Sequence, residues 1–90
     1  MTQEHWQLLI ALEKQYGRFR SFTDRWDSKN VQPAGRPEIV VNIRGIIPTE
    51  EIKGFCERHH VPGIIEVAHL ELENITQVRI RKHGYQPTLE

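Results

Sequence analysis

The hydrophobic pattern of residues 38–83 changes its period twice. Residues 39–43 form an apolar run that is typical of a buried strand. Apolar residues then recur at helical spacing through 52–59, and beyond Pro62 the pattern returns to the alternation of strands. The order of strand, helix, strand and strand predicts a sheet with a helix across one face.

The first strand and the helix of this unit have clear boundary signals. The strand is predicted over 38–44, ended by Gly45, and its apolar run indicates a central strand covered on both faces. The helix is predicted over 49–60, with Thr49 as its N-cap. Gly54 lies inside this helix, where glycine costs about 1 kcal/mol relative to alanine, so we expect close packing there.

The last part of the unit predicts a β-hairpin. One register pairs Leu72 with Val78 around a loop at 74–76, where Asn74 tolerates a left-handed conformation. The first strand of the hairpin then needs either cover on both faces or a bulge near His69. Glutamates lie opposite arginines in this register, so we expect the outer face to neutralise its own charge. The residues of that face are Glu71, Glu73, Arg79 and Arg81.

The N-terminal pattern predicts a helix from about Gln3 to Tyr16, capped by Thr2 and ended by Gly17. Its apolar positions cover about 200° of a helical wheel, against the ~100° stripe that a surface helix needs. In so short a chain, we expect another subunit to cover the second side of this helix. The candidate partner-binding residues are Trp6, Leu9 and Ile10.

Residues 18–37 are less regular. Phe19, Phe22 and Trp26 recur at spacings of three and four, which predicts a short second helix, and residues 28–37 read as a loop. The chain is therefore predicted to be one α+β domain. Residues 1–37 form a helical and irregular part, and residues 38–90 form a β-α-β-β part with a small, mainly antiparallel sheet. The alternative is a winged-helix arrangement with a minimal sheet.

Composition places the chain among soluble proteins of one domain. It has 90 residues, of which 38% are hydrophobic and 27% charged. No apolar run is long enough to span a bilayer, and the N-terminal residues lack the pattern of a signal peptide. One cysteine is compatible with a reducing compartment. We therefore expect a cytoplasmic protein without membrane contact.

The charges are balanced but segregated along the chain. Formal net charge is zero at pH 7. Residues 16–37 carry five basic and two acidic side chains, whereas residues 38–76 carry three basic and seven acidic ones. A neutral chain lacks the self-repulsion that keeps copies apart and the field that supports non-specific nucleic-acid binding. Association with itself or with a protein partner is the expected behaviour.

A basic and aromatic segment at 16–26 is the strongest nucleic-acid signal. Arginines can hold phosphates while aromatic rings stack on exposed bases. The opposing interpretation is that the rings anchor the core and the arginines form a solvated face. A winged-helix contact with DNA is disfavoured because its recognition helix would open with Glu50 and Glu51. The candidate nucleic-acid-binding residues are Arg18, Arg20, Arg25, Arg79, Arg81 and Lys82.

The remaining chemistry is sparse. Cys56, His59 and His69 have donor types that zinc accepts, but Cys56 and His59 also continue an apolar helix stripe, which favours a core role. A thiolate near the negative end of a helix is disfavoured. No nucleotide-binding or nucleophile motif is present. We expect no metal, no cofactor and no catalytic residue.

These patterns lead to two functional expectations. The first is a non-enzymatic protein-interaction or regulatory module that associates with itself through the N-terminal helix, with a homodimer as the expected state. The alternative is a small protein that binds RNA or single-stranded nucleic acid through residues 16–26 and the C-terminal basic strand.

Overall fold

A computed structural model describes residues 1–27 and 37–82, which form two helices on one face of a four-stranded antiparallel sheet. In chain order the elements are α1 (Gln3–Tyr16), β1 (Ser21–Asp24), β2 (Glu38–Arg44), α2 (Thr49–Glu57), β3 (Ile64–Leu70), a 3-10 turn (Glu71–Glu73) and β4 (Ile75–Arg81). The strand order is β1-β2-β4-β3. The predicted α+β class is confirmed, and the four-stranded sheet replaces the minimal sheet of the winged-helix alternative.

Helix α1 has the predicted bounds because both of its ends are encoded locally. The backbone N–H of His5 donates to Oγ1 of Thr2 at 3.3 Å, and the backbone N–H of Thr2 donates to Nδ1 of His5 at 3.1 Å. This reciprocal pair is a capping box with histidine in the place usually taken by glutamate. At the other end Gly17 has φ +94° and donates to the carbonyl of Glu13 at 2.9 Å.

The short helix predicted from Phe19, Phe22 and Trp26 is wrong, because this segment contains strand β1. The backbone N–H of Arg20 donates to Asn42 O at 2.8 Å, so the residue before β1 is also hydrogen-bonded to β2. Spacings of three and four over three residues are a weak helical signal, and the long-range ladder with β2 outweighs it.

The core lies between the helices and one face of the sheet. Strand β2 has the predicted bounds, and its residues alternate between buried and partly exposed positions, as in Val41 and Val40. The expected cover on both faces is therefore wrong, because the described elements cover one face. The core residues are Leu8, Leu9, Leu12, Trp26, Ile39, Val41, Ile43, Ile47, Ile52, Cys56, Val78 and Ile80.

Helix α2 begins where it was predicted but is shorter, ending at Glu57. Pro48 occupies the N-cap position with φ −55°, so Thr49 is the first helical residue and makes no capping hydrogen bond. The expectation of close packing at Gly54 is also wrong. A Cβ atom built at this residue meets nothing within 4 Å, because Gly54 lies on a half-exposed side of the helix.

The hairpin of β3 and β4 forms in a different register from the predicted one. Val67 pairs with Val78, and the pairing of Leu72 with Val78 is wrong because Leu72 lies fully exposed in the turn. The ladder is continuous from Ile64 to Leu70, so neither a bulge nor cover on both faces is needed. Asn74 adopts the predicted left-handed conformation, with φ 56° and ψ 51°.

Candidate interaction surface

An apolar groove lies between α1 and the segment that leads into β1, with a volume of about 240 Å³. Its lining residues are Trp6, Leu9, Ile10, Glu13, Phe19 and Phe22. All three candidate partner-binding residues of α1 are among them. Leu9 forms the floor, because it is buried in the core, whereas Trp6 is 50% and Ile10 65% exposed. We call the exposed residues Trp6, Ile10 and Phe22 the α1–β1 surface.

The α1–β1 surface arises because α1 has more apolar positions than the sheet can cover. Leu8 and Leu12 are completely buried against the sheet, and the wide apolar arc continues from them onto Trp6 and Ile10. The ring of Trp6 lies 6.4 Å from that of Phe22, with the planes inclined by 60°. Phe22 is itself 41% exposed, so the two aromatic rings form one continuous patch on the edge of the fold.

The groove borders an edge of the sheet. Strand β1 is the outermost strand on its side, and within residues 1–27 and 37–82 no strand pairs with its outer edge. Strand β3 is the other outermost strand, and α2 contacts that side of the sheet. The α1–β1 surface therefore combines apolar side chains with a short length of backbone that can accept another strand.

Both candidate basic residues of β4, Arg79 and Arg81, lie on the outer face of the sheet and are paired with glutamates. Nη1 of Arg79 lies 2.9 and 3.2 Å from the two carboxylate oxygens of Glu38. Nη1 of Arg81 lies 3.2 Å from Oε1 of Glu66, and its Nε lies 3.8 Å from Glu38 Oε2. The prediction that this face neutralises its own charge is correct for the arginines and wrong for the glutamates. Glu71 and Glu73 lie in the turn after β3 instead.

The same outer face holds a polar groove of about 360 Å³ that the sequence did not reveal. Gln77 Nε2 donates to Asn42 Oδ1 at 3.1 Å, and Asn42 Nδ2 donates to Ser21 Oγ at 2.8 Å. Nε of Arg79 donates to Oε1 of Gln77 at 3.2 Å. These hydrogen bonds connect Asn42, Gln77 and Arg79 within the groove. The signal that could have found it is the polar alternation of β2 and β4, read in the correct register.

The other candidate basic residues lie in different surroundings. Arg25 lines the polar groove beside Arg79. Nζ of Lys82 lies 5.6 Å above the ring of Trp26, where a cation–π contact is favourable. Arg18 and Arg20 are exposed in the segment before β1.

The candidate metal-binding side chains serve other roles. Cys56 is buried, and burial, followed by the charge of Glu57, raises the pKa of its thiol to about 12. The imidazole of His59 packs 5.2 Å from the ring of Phe55, and Nε2 of His69 donates to the carbonyl of Ile47 at 2.6 Å. No group of three or more potential ligands that could hold a metal ion occurs in residues 1–27 and 37–82.

Neither α1 nor α2, the helices of the described ranges, is long and apolar enough to cross a membrane. Comparison of the chain with protein-family models, curated proteins and solved structures finds no match.

Proposed function

We propose that the protein is a non-enzymatic interaction or regulatory module that binds a second copy of itself through the α1–β1 surface. The observation that carries this proposal is the exposure of Trp6, Ile10 and Phe22 side by side, at 50%, 65% and 41%. Single exposed apolar residues are ordinary on a protein surface, but a contiguous patch is typical of an interaction site.

The energetics of the patch favour burial. Removing apolar surface from water contributes about 25 cal/mol per Å², and tryptophan is among the residues that most often dominate binding energy. The aromatic contact of Trp6 with Phe22 limits the freedom of both rings, which reduces the entropy that binding must overcome. Among the residues that the structure describes, Glu13 is the one charged residue that lines the groove, so the cost of removing water from the groove is small.

A second copy is the favoured partner for two reasons. The chain has zero formal charge, so two copies approach without net repulsion. A two-fold dimer also brings the same apolar patch of each copy together, so the surface is its own complement.

Sedimentation equilibrium over a range of protein concentrations tests the proposal. The wild-type chain is expected to form a dimer in the micromolar range, and Ile10→Asp is expected to be monomeric, because it would bury a carboxylate in the interface. Ile64→Asp is the matched control, since Ile64 is 45% exposed on β3 at the opposite edge. Thermal unfolding of each variant establishes that it is folded.

Two results would overturn the proposal. One is a wild-type chain that stays monomeric at high micromolar concentration. The other is a dimer that survives both Ile10→Asp and Trp6→Ala but is lost in Ile64→Asp, which would move the interface to β3.

Binding of RNA or single-stranded nucleic acid is the alternative. It is supported by the exposed arginines Arg18 and Arg20 near the exposed ring of Phe22, and it is weakened by the glutamate partners of Arg79 and Arg81. Titration of a single-stranded RNA oligonucleotide at two salt concentrations tests it. Affinity that falls with salt and is lost when Arg18, Arg20 and Arg25 become alanine would support the alternative. Absence of binding at low salt would remove it.

A further inference from the structure

We propose that the polar groove on the outer face of the sheet binds the oxyanion of a small polar molecule, a phosphate ester or a carboxylate, between Arg25 and Arg79. The groove lies on the face of the sheet opposite the core, so this inference does not depend on self-association through the α1–β1 surface. It follows from the shape of the groove, from the hydrogen bonds that fix its walls and from the charge of its lining.

The groove arises because short side chains lie among longer ones. Val40 pairs with Thr23 of β1 and with Arg79 of β4, so these three residues form one row across the sheet. Side chains that lie opposite each other on paired antiparallel strands share one face of the sheet. Val40 and Thr23 are short and form the floor of the groove, and longer polar side chains line it from the neighbouring rows. These side chains are Arg25, Glu38, Asn42 and Gln77.

Hydrogen bonds hold the walls of the groove in one arrangement. Asn42 Nδ2 donates to Ser21 Oγ at 2.8 Å, and Gln77 Nε2 donates to Asn42 Oδ1 at 3.1 Å. Arg79 continues the chain, since its Nε donates to Gln77 Oε1 at 3.2 Å and its Nη1 to Glu38 Oε1 at 2.9 Å. In the part of the chain that the structure describes, each amide uses one of its two N–H groups, so each retains one for a ligand. Side chains fixed in this way lose little conformational entropy on binding.

The described lining of the groove has an excess of positive charge. Arg25 and Arg79 contribute two guanidinium groups, and Glu38 contributes one carboxylate. Within residues 1–27 and 37–82, Nη2 of Arg79 makes no hydrogen bond. No carboxylate oxygen of the same ranges lies within 4.0 Å of the Arg25 guanidinium. Two guanidinium groups with unused N–H donors therefore line one polar groove.

Glu38 is the group of this lining that opposes an anion, and its charge is compensated within the chain. Its carboxylate lies 2.9 Å from Nη1 of Arg79 and 3.8 Å from Nε of Arg81. Two guanidinium groups therefore share this one carboxylate, and its repulsion of a second anion is reduced.

The chemistry of the lining selects the class of ligand. A guanidinium group matches the oxygens of phosphate and carboxylate groups, because its N–H donors form a planar fork. An oxyanion above Val40 receives donors from Arg25 and Arg79 and balances the excess charge. The remaining N–H groups of Asn42 and Gln77 suit hydroxyl oxygens of the same molecule. The groove volume of about 360 Å³ lies within the range of small-molecule sites, about 300–1,000 Å³.

Titrations followed by backbone amide chemical shifts test the inference, with ribose 5-phosphate and succinate as the two oxyanion probes. Ribose is the uncharged control ligand. An oxyanion probe is expected to shift the amides of residues 23–25, 38–42 and 77–79, whereas ribose at the same concentration leaves them unchanged. A response to ribose 5-phosphate alone identifies a phosphate ester as the ligand, and a response to succinate alone identifies a carboxylate.

Two variants disable the groove in different ways. Arg25→Gln removes one guanidinium group and is expected to raise the dissociation constant by about 10-fold, because hydrogen bonds to charged groups are stronger than neutral ones. Val40→Phe fills the groove from its floor and is expected to abolish binding, and phenylalanine is well suited to a strand. Arg20→Gln is the matched control, since Arg20 is exposed and does not line the groove, and it is expected to bind like the wild-type chain. Thermal unfolding establishes that each variant is folded.

Three results would overturn the inference. They are the absence of a response to both oxyanions at millimolar concentration, an equal response to ribose, and binding that is unchanged in both Arg25→Gln and Val40→Phe. A chain that binds single-stranded RNA but neither small oxyanion also overturns it and assigns Arg25 to the nucleic-acid alternative. Sedimentation equilibrium of Arg25→Gln separates this inference from the proposed function, because the self-association of this variant is expected to equal that of the wild-type chain.

Discussion

The imidazole ring of His5 lies 4.3 Å, centroid to centroid, from the indole ring of Trp26, with the ring planes inclined by 63°. His5 is completely buried. Its Nε2 donates to the carbonyl of Pro62 at 2.8 Å, and its Nδ1 accepts from the backbone N–H of Thr2 at 3.1 Å. Because that backbone group can only donate, the ring proton is assigned to Nε2. One side chain thereby connects the start of α1, the end of β1 and the turn before β3.

Replacing His5 by alanine is expected to reduce the free energy of unfolding by about 2–4 kcal/mol. The variant loses the aromatic contact, leaves a cavity and deprives the carbonyl of Pro62 of its donor. Urea denaturation followed by tryptophan fluorescence measures the change. Gln7→Ala, at an exposed position of the same helix, is the control and should change stability by less than about 0.5 kcal/mol. A similar small loss for His5→Ala would show that its network contributes little.

Two glycine-to-alanine substitutions should have opposite effects. A Cβ atom at Gly63 would lie 2.8 Å from Ile80 Cγ2 and 2.9 Å from Arg81 O, and Gly63 has φ +126°. Gly63→Ala is therefore expected to cost about 2 kcal/mol or more. Gly54 has open space in the middle of α2, so Gly54→Ala is expected to gain about 0.5–1 kcal/mol. Melting temperatures that move in the same direction for both would contradict the packing described for these residues.

The stability of the fold should fall as pH rises above about 9. Burial, followed by the charge of Glu57, raises the pKa of Cys56 from 9.0 to about 12. Between these values the unfolded chain releases a proton that the folded chain retains, so the free energy of unfolding decreases with pH. At pH values well below 9 the thiol is protonated in both states and contributes no slope.

Denaturant titrations at several pH values above about 8 measure this slope, and Cys56→Ser should flatten it. The remaining slope is assigned to Tyr16, since burial and a hydrogen bond to Glu51 raise the pKa of its hydroxyl from 10.0 to about 12. Tyr16→Phe should remove the part of the pH dependence that remains in Cys56→Ser. An unchanged slope in Cys56→Ser would show that the thiol is more accessible to solvent than its position in the core indicates.

On the outer face of the sheet, substitution of Glu38 should reduce the free energy of unfolding more than substitution of Glu66. The side chain of Glu38 is 12% exposed and its carboxylate accepts a hydrogen bond from Arg79 at 2.9 Å, whereas the side chain of Glu66 is 48% exposed. Glu38→Gln is expected to cost about 1–2 kcal/mol, because it removes the charge shared by two arginines, and Glu66→Gln less than about 1 kcal/mol. Chemical denaturation at low and high salt measures both. Equal losses would show that solvent screens the two pairs alike.

Helix α1 and strand β2 could be read from the chain because their signals are local. Thr2 and Gly17 mark the ends of α1, and the apolar run before Gly45 marks β2, without reference to any distant residue. The wide apolar arc of α1 also indicated Trp6, Leu9 and Ile10 as candidate partner-binding residues, of which Leu9 is buried in the core. Which residues of this arc are buried and which are exposed depends on the position of the sheet, which the sequence pattern of the helix does not contain.

Strand β1 and the hairpin register could not be obtained in this way. Local alternation is satisfied by several registers, and opposite charges can be matched in more than one of them, so Glu71 and Glu73 were as suitable as Glu38 and Glu66. The register that forms depends on which side chains of the hairpin the helices cover. This packing joins residues that are far apart in the sequence, so a short window of residues does not predict it.

The amino-acid pattern was enough to establish an α+β domain, the ends of α1 and β2, and an apolar excess on α1, because periodicity and caps act over a few residues. Folding in three dimensions determined that Arg79 and Arg81 are paired with glutamates, that His5 is a buried junction, and that Trp6, Ile10 and Phe22 form one surface beside the outermost strand β1. These features depend on packing between segments far apart in the chain, where the free energy of burial and long-range hydrogen bonding outweighs local preference.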